Sequence, residues 1–375
     1  MQYPARAVVN LAAVRANVAN LRGRTDAAVM AVVKADGYGH GGLAVAQAAL
    51  EAGATWLGIA QLQEALAVRP MLPDVRMLCW LWSPSADVRP AVRAGIDLAV
   101  TAPWVVDHVA DAAADVGVRA RVHLKVDTGM ARGGVRPEAW EDFVRQALRR
   151  PELEIAGIWS HLARADEVEE PTTARQLDLF TDALAAAARL GVHPEVRHLA
   201  ASAGVLWHPA THFDLVRPGV SVYGMVPDGS DPAPLGLVPA MRLEAELVNV
   251  KRVPAGTPVS YGHTAVVGPT TVGVVPLGYA DGIPRQASNR AFVTVNGRRA
   301  DVVGRICMDQ FLVDLGPESD AVPGDRVRLW GPLPGDAGER PTAESWARAA
   351  DTINYTITTQ VGTRVPRVHV EETWS

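Results

Sequence analysis

The sequence predicts an α/β protein, with an N-terminal (β/α)8 barrel of the TIM type followed by a mostly β C-terminal domain. Three observations support this fold class. Short apolar runs alternate with amphipathic helical stretches from residue 28 to residue 217, a segment rich in proline and glycine occupies residues 227–239, and strand-like runs predominate after it. We therefore predict two domains, residues 1–235 and residues 236–375.

Eight apolar runs in the first domain are interpreted as the barrel strands. They cover residues 28–34, 56–60, 77–82, 97–101, 120–126, 153–160, 195–200 and 213–217. Helical periodicity is found between them, at residues 42–52, 61–69, 103–116, 137–149 and 174–190. Strands that alternate with helices indicate a parallel sheet, because parallel neighbours need crossover connections of a dozen or more residues. Eight such units in about 200 residues fit a closed barrel better than an open sheet.

The segment before the barrel, Val8 to Leu21, is interpreted as the first strand and helix of the fold. Residues 1–24 are rich in arginine and lack acidic residues, as transit peptides do, but they contain no serine. The longest early apolar run, Ala27 to Val33, is too short for a membrane span. The two cysteines lie 228 positions apart, which indicates a reducing compartment rather than a disulfide framework. We expect a cytoplasmic protein with no membrane partner.

The second domain is predicted from runs with the character of strands. These are residues 241–250, 271–275, 291–295, 302–315 and 326–329. Asn296-Gly297 follows one of them and predicts a type I′ hairpin turn, because both central positions of that turn need a positive φ. One helix is expected at about residues 342–355.

Composition excludes several classes of protein. With 48% hydrophobic and 21% charged residues, the chain is neither disordered nor collagen-like. The chain has 36 basic and 41 acidic residues, and the basic residues form no continuous block. Nucleic acid is therefore not an expected partner. His208 and His212 have a metal-like spacing, but Pro209 between them argues against a helix face and no further ligand lies nearby. No metal site is predicted.

Lysine is rare in this chain, and each lysine is therefore of interest. Only Lys34, Lys125 and Lys251 occur, against 33 arginines. Lys34 ends the first apolar run and enters a glycine-rich loop, at the barrel mouth where active sites of this fold lie. A desolvated lysine favours the neutral amine, which can attack a carbonyl group to form a Schiff base. From the residues alone, an ordinary strand-end lysine in salt contact with Asp36 is the alternative.

A phosphate site is a second hypothesis for the same mouth. Barrels of this type often bind phosphate through the loops after strands seven and eight. Here these loops contain Ala201-Ser202-Ala203-Gly204 and Arg217-Pro218-Gly219-Val220. Hydroxyl and amide groups suit phosphate oxygens, which only accept hydrogen bonds. Two ordinary turns between strand and helix are the alternative.

Several separated motifs, in the right order, resemble the alanine racemase family of fold-type III enzymes that use pyridoxal phosphate (PLP). They are AVVKADGYGHG (31–41), KVDTGMAR (125–132), RPGV (217–220), SYG (260–262), GYADG (278–282), RICMD (305–309) and NY (354–355). The resemblance extends over about residues 5–370. It implies interconversion of L- and D-alanine by two bases, supply of D-alanine for peptidoglycan, and a homodimer that shares its active sites.

The resemblance also implies roles for particular residues. Lys34 would hold PLP through its amine and act as the base on the D-alanine side. Tyr261 would be the base on the L-alanine side and would come from the partner subunit, together with Tyr279, Cys307, Met308 and Asp309. The PLP phosphate would be bound by Tyr38, Ser202, Gly219, Val220 and Tyr355.

Three further side chains complete the implied site. Arg217 would face the pyridine nitrogen of PLP and leave it unprotonated, because a guanidinium group only donates hydrogen bonds. His161 would link Arg217 to Tyr261, although a lone histidine at a strand end is more often structural. Arg132 would contact the PLP phenol oxygen and the substrate carboxylate. Lys125, which is often carbamylated in the family, would pair with Arg132.

Three other functions remain to be distinguished from alanine racemisation. A fold-type III decarboxylase would share the barrel and the cofactor lysine, but the SYG motif and Arg217 match the racemase pattern instead. A racemase of broader specificity would lack a lysine at position 125. A non-catalytic PLP-binding protein built on the same barrel would lack residues 240–375.

Overall fold

The computed structural model describes residues 3–332 and 340–372. In chain order its strands are β1 (Ala5–Asn10), β2 (Ala28–Val32), β3 (Trp56–Gln61), β4 (Arg76–Leu81), β5 (Asp97–Val100), β6 (Ala120–Lys125), β7 (Leu153–Trp159), β8 (Val196–His198), β9 (Leu215–Val216), β10 (Met241–Glu246), β11 (Asn249–Val253), β12 (Thr257–Val259), β13 (Ala265–Val267), β14 (Thr270–Val275), β15 (Phe292–Val295), β16 (Arg298–Val303), β17 (Phe311–Gly316), β18 (Arg326–Trp330) and β19 (Arg367–Val370).

Most α-helices of the described residues lie between β1 and β9 in the chain. They are α1 (Leu11–Arg22), α2 (Lys34–Tyr38), α3 (Gly42–Glu51), α4 (Leu62–Val68), α5 (Arg89–Arg93), α6 (Pro103–Val116), α7 (Trp140–Leu148), α8 (Thr172–Arg189), α9 (Ser202–Trp207), α10 (Ala343–Ala349) and α11 (Asn354–Thr359). None of them is both long enough and apolar enough to span a membrane.

Strands β2 to β9 form the predicted barrel. They pair in parallel in the order β8-β7-β6-β5-β4-β3-β2-β9, and each of the eight predicted runs overlaps one of them. The ends of the sheet meet through one bridge between Ala201 and Arg217, which nearly closes the barrel. Apolar side chains from seven of the eight strands, Trp56 and Trp159 among them, form a buried cluster in the barrel. The barrel is thus a packed core whose chemistry must lie at its ends.

The second sheet has nine strands in the order β11-β14-β17-β16-β15-β18-β10-β1-β19. Strand β1 belongs to it, antiparallel to β10 and parallel to β19, although the sequence assigned β1 to the N-terminal segment. Asn10 ends β1 and caps α1, because its side chain accepts a hydrogen bond from the Ala12 amide. The chain therefore starts in the second sheet and enters the barrel through α1.

Three local predictions in the second domain need correction. Residues 241–250 and 302–315 are each predicted as one strand, but each spans parts of two strands with a turn or loop between them. The helix expected at 342–355 is instead α10 and α11, separated where Asp351 adopts a positive φ of 51°. The Asn296-Gly297 turn is confirmed, with φ of 49° and 79° between the paired strands β15 and β16.

Candidate active site

Lys34 lies at the C-terminal mouth of the barrel, where β2 ends. The backbone that follows it is left-handed through Ala35, Asp36, Gly37 and Tyr38, and this turns the chain sharply. The Lys34 Nζ lies 5.8 Å from the Tyr38 ring centroid. Burial lowers the pKa of Lys34, and the charge of Arg132 adds to this effect, whereas Glu64 opposes it. The surroundings therefore favour the neutral, nucleophilic form of this amine.

Tyr38 and the loops after β8 and β9 form a group of hydrogen-bond donors beside Lys34. The Tyr38 ring stacks on Tyr223 with a centroid distance of 4.7 Å and lies 6.1 Å from the Tyr355 ring. Burial raises the pKa of Tyr38 and of Tyr355, so both phenols keep their protons. The Ser202 hydroxyl accepts a hydrogen bond from the Gly219 amide at 2.9 Å. Two phenols, one hydroxyl and loop amides thus converge on one region.

Glycine at position 219 is required by the close approach of Tyr38. A Cβ atom added to Gly219 would lie 3.1 Å from the Tyr38 Cζ and closer still to its hydroxyl oxygen. The next residue, Val220, is buried and begins a short turn of 3-10 helix. The loop backbone consequently lies directly against a protonated phenol.

Arg217 is buried at the same end of the barrel, 4% exposed. Its Nη2 donates to the carbonyl oxygens of Ser160 at 2.8 Å and Leu199 at 3.1 Å, and lies 3.2 Å from His161 Nδ1. Its Nη1 lies 2.9 Å from His198 Nδ1. Burial lowers the pKa of Arg217 to about 9, which still leaves a cation at neutral pH. Because a guanidinium group only donates, a hydrogen bond from Arg217 would require His161 to accept at Nδ1 and carry its proton on Nε2.

The side chains of Lys125 and Arg217 both lie close to the Trp159 ring. The Lys125 Nζ lies 4.5 Å from the Trp159 ring centroid, and the Arg217 Cζ lies 5.1 Å from the same centroid. Burial, together with the charges of Arg132 and Arg217, lowers the pKa of Lys125 to about 8, whereas Asp127 opposes this effect. A substantial fraction of Lys125 is therefore a neutral amine near physiological pH.

Arg132 lies on the loop after β6, and its guanidinium is within electrostatic reach of the groups just described. Its positive charge lowers the pKa of Lys34, Lys125 and His161. Burial is the larger cause of the lowered pKa at each of these groups. The mouth of the barrel is thus a region of concentrated positive charge, suited to an anionic ligand.

The remaining predicted residues form a separate cluster on the second domain, made of Tyr261, Tyr279, Cys307, Met308 and Asp309. The Tyr279 amide donates to the Cys307 carbonyl at 3.0 Å, and Ser260 Oγ lies 3.6 Å from Cys307 Sγ. Four side chains of the cluster are exposed: Asp309, and also Tyr261 by 72%, Met308 by 53% and Tyr279 by 44%. Across residues 3–332 and 340–372, no hydrogen bond joins this cluster to Lys34, His161 or Arg217. One chain therefore contains two separate groups of the predicted residues.

Sequence analysis missed several side chains that contact the site. Glu64 accepts a hydrogen bond from the Asp36 amide at 3.0 Å, directly after Lys34. Trp159 provides the aromatic face for Lys125 and Arg217, and His198 contacts Arg217. Trp159 and His198 lie in runs that the sequence had identified as buried strands. A histidine within such a run was the available signal, because a buried polar side chain needs a partner.

Comparison with known proteins places both parts of the chain. The family model described as alanine racemase, N-terminal domain, matches residues 9–227, and the model described as alanine racemase, C-terminal domain, matches residues 240–369. A relative from Beutenbergia cavernae named alanine racemase is 55% identical over 376 residues, covering 99% of each chain. A second, from Streptomyces coelicolor, is 54% identical over 380 residues, covering 98% of this chain and 96% of the relative.

Solved structures are similar over the same length. The alanine racemase from Streptomyces coelicolor A3(2) aligns with a TM-score of 0.95 and 53% identity, covering 98% of both chains. The alanine racemase from Bacillus anthracis, solved with bound L-Ala-P, aligns with a TM-score of 0.90 and 33% identity, covering 99% of this chain and 96% of that one.

Proposed function

This chain belongs to the alanine racemase family, and from that premise we propose that it interconverts L-alanine and D-alanine with PLP as cofactor. The observation that carries the proposal is the half-buried Lys34 amine, which lies at the barrel mouth with a lowered pKa. A neutral amine there can both hold a carbonyl-bearing cofactor and accept a proton.

The donor set at the mouth fits the phosphate and the ring of PLP. The phenols of Tyr38 and Tyr355 keep their protons and can donate to phosphate oxygens, as can the Ser202 hydroxyl and the Val220 amide. The Gly219 amide donates to Ser202 Oγ and would orient that hydroxyl toward the phosphate. The close approach of the Tyr38 hydroxyl to Gly219, which a Cβ would prevent, supports this assignment. PLP, when bound, supplies the electron-withdrawing system that makes the substrate α-proton acidic.

Arg217 is proposed to face the pyridine nitrogen of the cofactor. Its carbonyl and imidazole partners hold the guanidinium in one orientation, and at neutral pH it has no proton-accepting atom. It would donate a hydrogen bond to the ring nitrogen and leave that nitrogen unprotonated. His161, which accepts from Arg217 at Nδ1, would present its Nε2 proton toward Tyr261.

Racemisation needs two bases, one on each face of the substrate α-carbon. We assign the Lys34 Nζ to the D-alanine side and the Tyr261 Oη to the L-alanine side. Tyr261 is 72% exposed in the single chain and belongs to the separate cluster of the second domain. We therefore propose a homodimer in which Tyr261, Tyr279, Cys307, Met308 and Asp309 complete the site of the other subunit.

We propose that Arg132 and Lys125 lie on the side of the site that binds the substrate carboxylate. Arg132 would contact the carboxylate and the PLP phenol oxygen. The neutral amine of Lys125 could add to carbon dioxide, forming a C–N bond and releasing one proton, and the resulting carbamate would be an anionic partner for Arg132. We further propose domains at residues 1–235 and 236–375, apart from β1, and a cytoplasmic role in supplying D-alanine for peptidoglycan.

One experiment separates this function from its alternatives. Purified protein and PLP are incubated with L-alanine in deuterium oxide, and the products are examined by chiral chromatography and mass spectrometry. D-alanine that carries one α-deuterium is the expected product. Carbon dioxide release would instead identify a decarboxylase, and unchanged L-alanine in the presence of bound PLP would identify a non-catalytic PLP-binding protein.

A further inference from the structure

A line of four buried polar side chains crosses the barrel lumen and ends at Arg217. Asp97 begins β5, His123 lies on β6, His198 ends β8, and Arg217 follows β9. Asp97 Oδ2 lies 3.2 Å from His123 Nε2, and His123 Nδ1 lies 2.8 Å from His198 Nε2. His198 Nδ1 lies 2.9 Å from Arg217 Nη1. All four residues are at most 4% exposed, so they connect the opposite end of the barrel to the active site without water.

Elementary donor and acceptor rules assign every proton in this line. Arg217 only donates, so His198 Nδ1 must accept and His198 must carry its proton on Nε2. That proton is donated to His123 Nδ1, which leaves the His123 proton on Nε2, where it is donated to the Asp97 carboxylate. Each bond then has one donor and one acceptor, and both imidazoles are neutral. Burial and the neighbouring Arg217 lower the pKa of His198, in agreement with the neutral form.

The lumen reserves space for this line. Gly157 on β7 lies opposite His123, and a Cβ atom at Gly157 would lie 2.6 Å from the His123 Cγ. Only glycine therefore lets the His123 ring cross the sheet surface toward His198. On the other side, Trp159 stacks on the His198 ring at 5.5 Å with an interplanar angle of 11°. Packing thus restricts both rings, whose planes lie 66° apart.

Asp97 is held at the far end by cations. Arg121 Nε lies 3.2 Å from Asp97 Oδ1, and Arg76 Nη2 lies 3.8 Å from Asp97 Oδ2. Glu195 pairs with the same two arginines, at 2.9 Å to Arg76 and 2.7 Å to Arg121, but is not in hydrogen-bond contact with His123. Asp97 Oδ2 thus lies between Arg76 and the His123 ring, from whose N–H group a carboxylate oxygen can accept.

We propose that Asp97 and His123 are positioning residues that hold His198 in the one tautomer able to accept a hydrogen bond from Arg217. With the reverse tautomer, an N–H group of His198 would oppose the N–H groups of Arg217, and the guanidinium would lose its orientation toward the cofactor ring. The consequence for catalysis rests on the proposed function, whereas the tautomer itself does not. Trypsin-like proteases give a precedent, since an Asp→Asn change there leaves the geometry intact but selects the wrong histidine tautomer.

The test uses the full-length protein with its cofactor, labelled with ¹⁵N-histidine. Two-dimensional ¹⁵N–¹H spectra distinguish a protonated from an unprotonated ring nitrogen, and His198→Asn and His123→Asn identify the signals by their disappearance. In the wild type we expect both rings to be protonated at Nε2. A wild-type His198 protonated at Nδ1 would overturn the proposal directly, without any variant and whatever the enzyme's activity.

The variant pair is Asp97→Asn with Glu195→Gln as its control. An amide at position 97 can donate as well as accept, so we expect the His198 Nδ1 signal to move toward the protonated type. Loss of a comparable outer partner typically costs roughly 10- to 100-fold in activity, and we expect such a fall in kcat with a smaller change in KM. Glu195→Gln removes a carboxylate from the same two arginines and should leave tautomer and kcat unchanged. An unchanged tautomer in Asp97→Asn, or an equal change in Glu195→Gln, would contradict the role of Asp97.

Discussion

Replacement of Gly219 by alanine should weaken cofactor binding through Tyr38. The added Cβ would lie 3.1 Å from the Tyr38 Cζ and closer to its hydroxyl, so the ring or the loop must move. The ring is buried and stacked on Tyr223, so it has little freedom to yield. Displacing the phenol would remove a hydrogen bond to a charged phosphate, worth about 1.5–3 kcal/mol. That loss corresponds to a roughly 10- to 150-fold weaker affinity for PLP.

The assay is equilibrium titration of cofactor-free Gly219→Ala protein with PLP, followed by absorbance. Gly268→Ala is the matched control, because a Cβ there meets no atom within 4 Å. We expect the control to bind PLP as the wild type does, and Tyr38→Phe to resemble Gly219→Ala. Wild-type affinity in the Gly219→Ala protein would refute the argument that the phenol over this loop binds the phosphate.

Four further outcomes are expected. Lys34→Ala should lose the protein–PLP bond that borohydride reduces, and mass spectrometry of the reduced protein would reveal a bond at any other lysine. Tyr261→Phe should slow α-deuterium exchange from L-alanine more than from D-alanine, so equal rates from both enantiomers would contradict its assignment. Because the pKa of Lys125 is lowered to about 8, its neutral fraction grows as pH rises, and a ¹³C carbamate signal at fixed ¹³CO₂ should increase from pH 6.5 to pH 8.5; Lys125→Arg should abolish it. Burial lowers the pKa of His40 from 6.5 to about 4, so the folded protein keeps this ring neutral at pH values where the unfolded chain protonates it. The free energy of unfolding should therefore fall by about 3 kcal/mol as the pH falls from 6.5 to 4. The pH dependence of urea unfolding should therefore be smaller in His40→Gln than in His193→Gln, which changes an exposed residue.

Periodicity predicted the barrel because each barrel strand is a short apolar run bounded by turns. The eight runs agree with β2 to β9 within a few residues. The pattern could not place β1, because a short, largely apolar run suits any sheet and its partners in β10 and β19 are about 240 and 360 residues away in the chain. Pairing across such distances depends on the whole fold rather than on local propensity.

The site was predicted in a similarly uneven way. Lys34 and the glycine-containing loops carry a local signal, since a lysine after a buried strand and a glycine beside it are visible in the sequence. The line from Asp97 to Arg217 carries almost none, because its members come from four strands and become neighbours only when the barrel closes. The requirement for glycine at position 157 is equally invisible in the sequence, because the atoms that a Cβ would meet belong to His123 on the adjacent strand.

The position of β1 has a consequence for how the polypeptide can form. Because Ala5 pairs with Ala245, β1 has no partner in β10 until about 240 further residues have been made. A fragment ending at the linker would leave the edge of β1 unpaired, which favours aggregation. β1 also pairs with β19, which places Ala7 beside Arg367 and Asn10 beside Val370. The chain thus leaves the second sheet after β1, forms the barrel and returns to the second sheet at β10. We therefore expect the two sheets to fold and unfold together, as one cooperative unit.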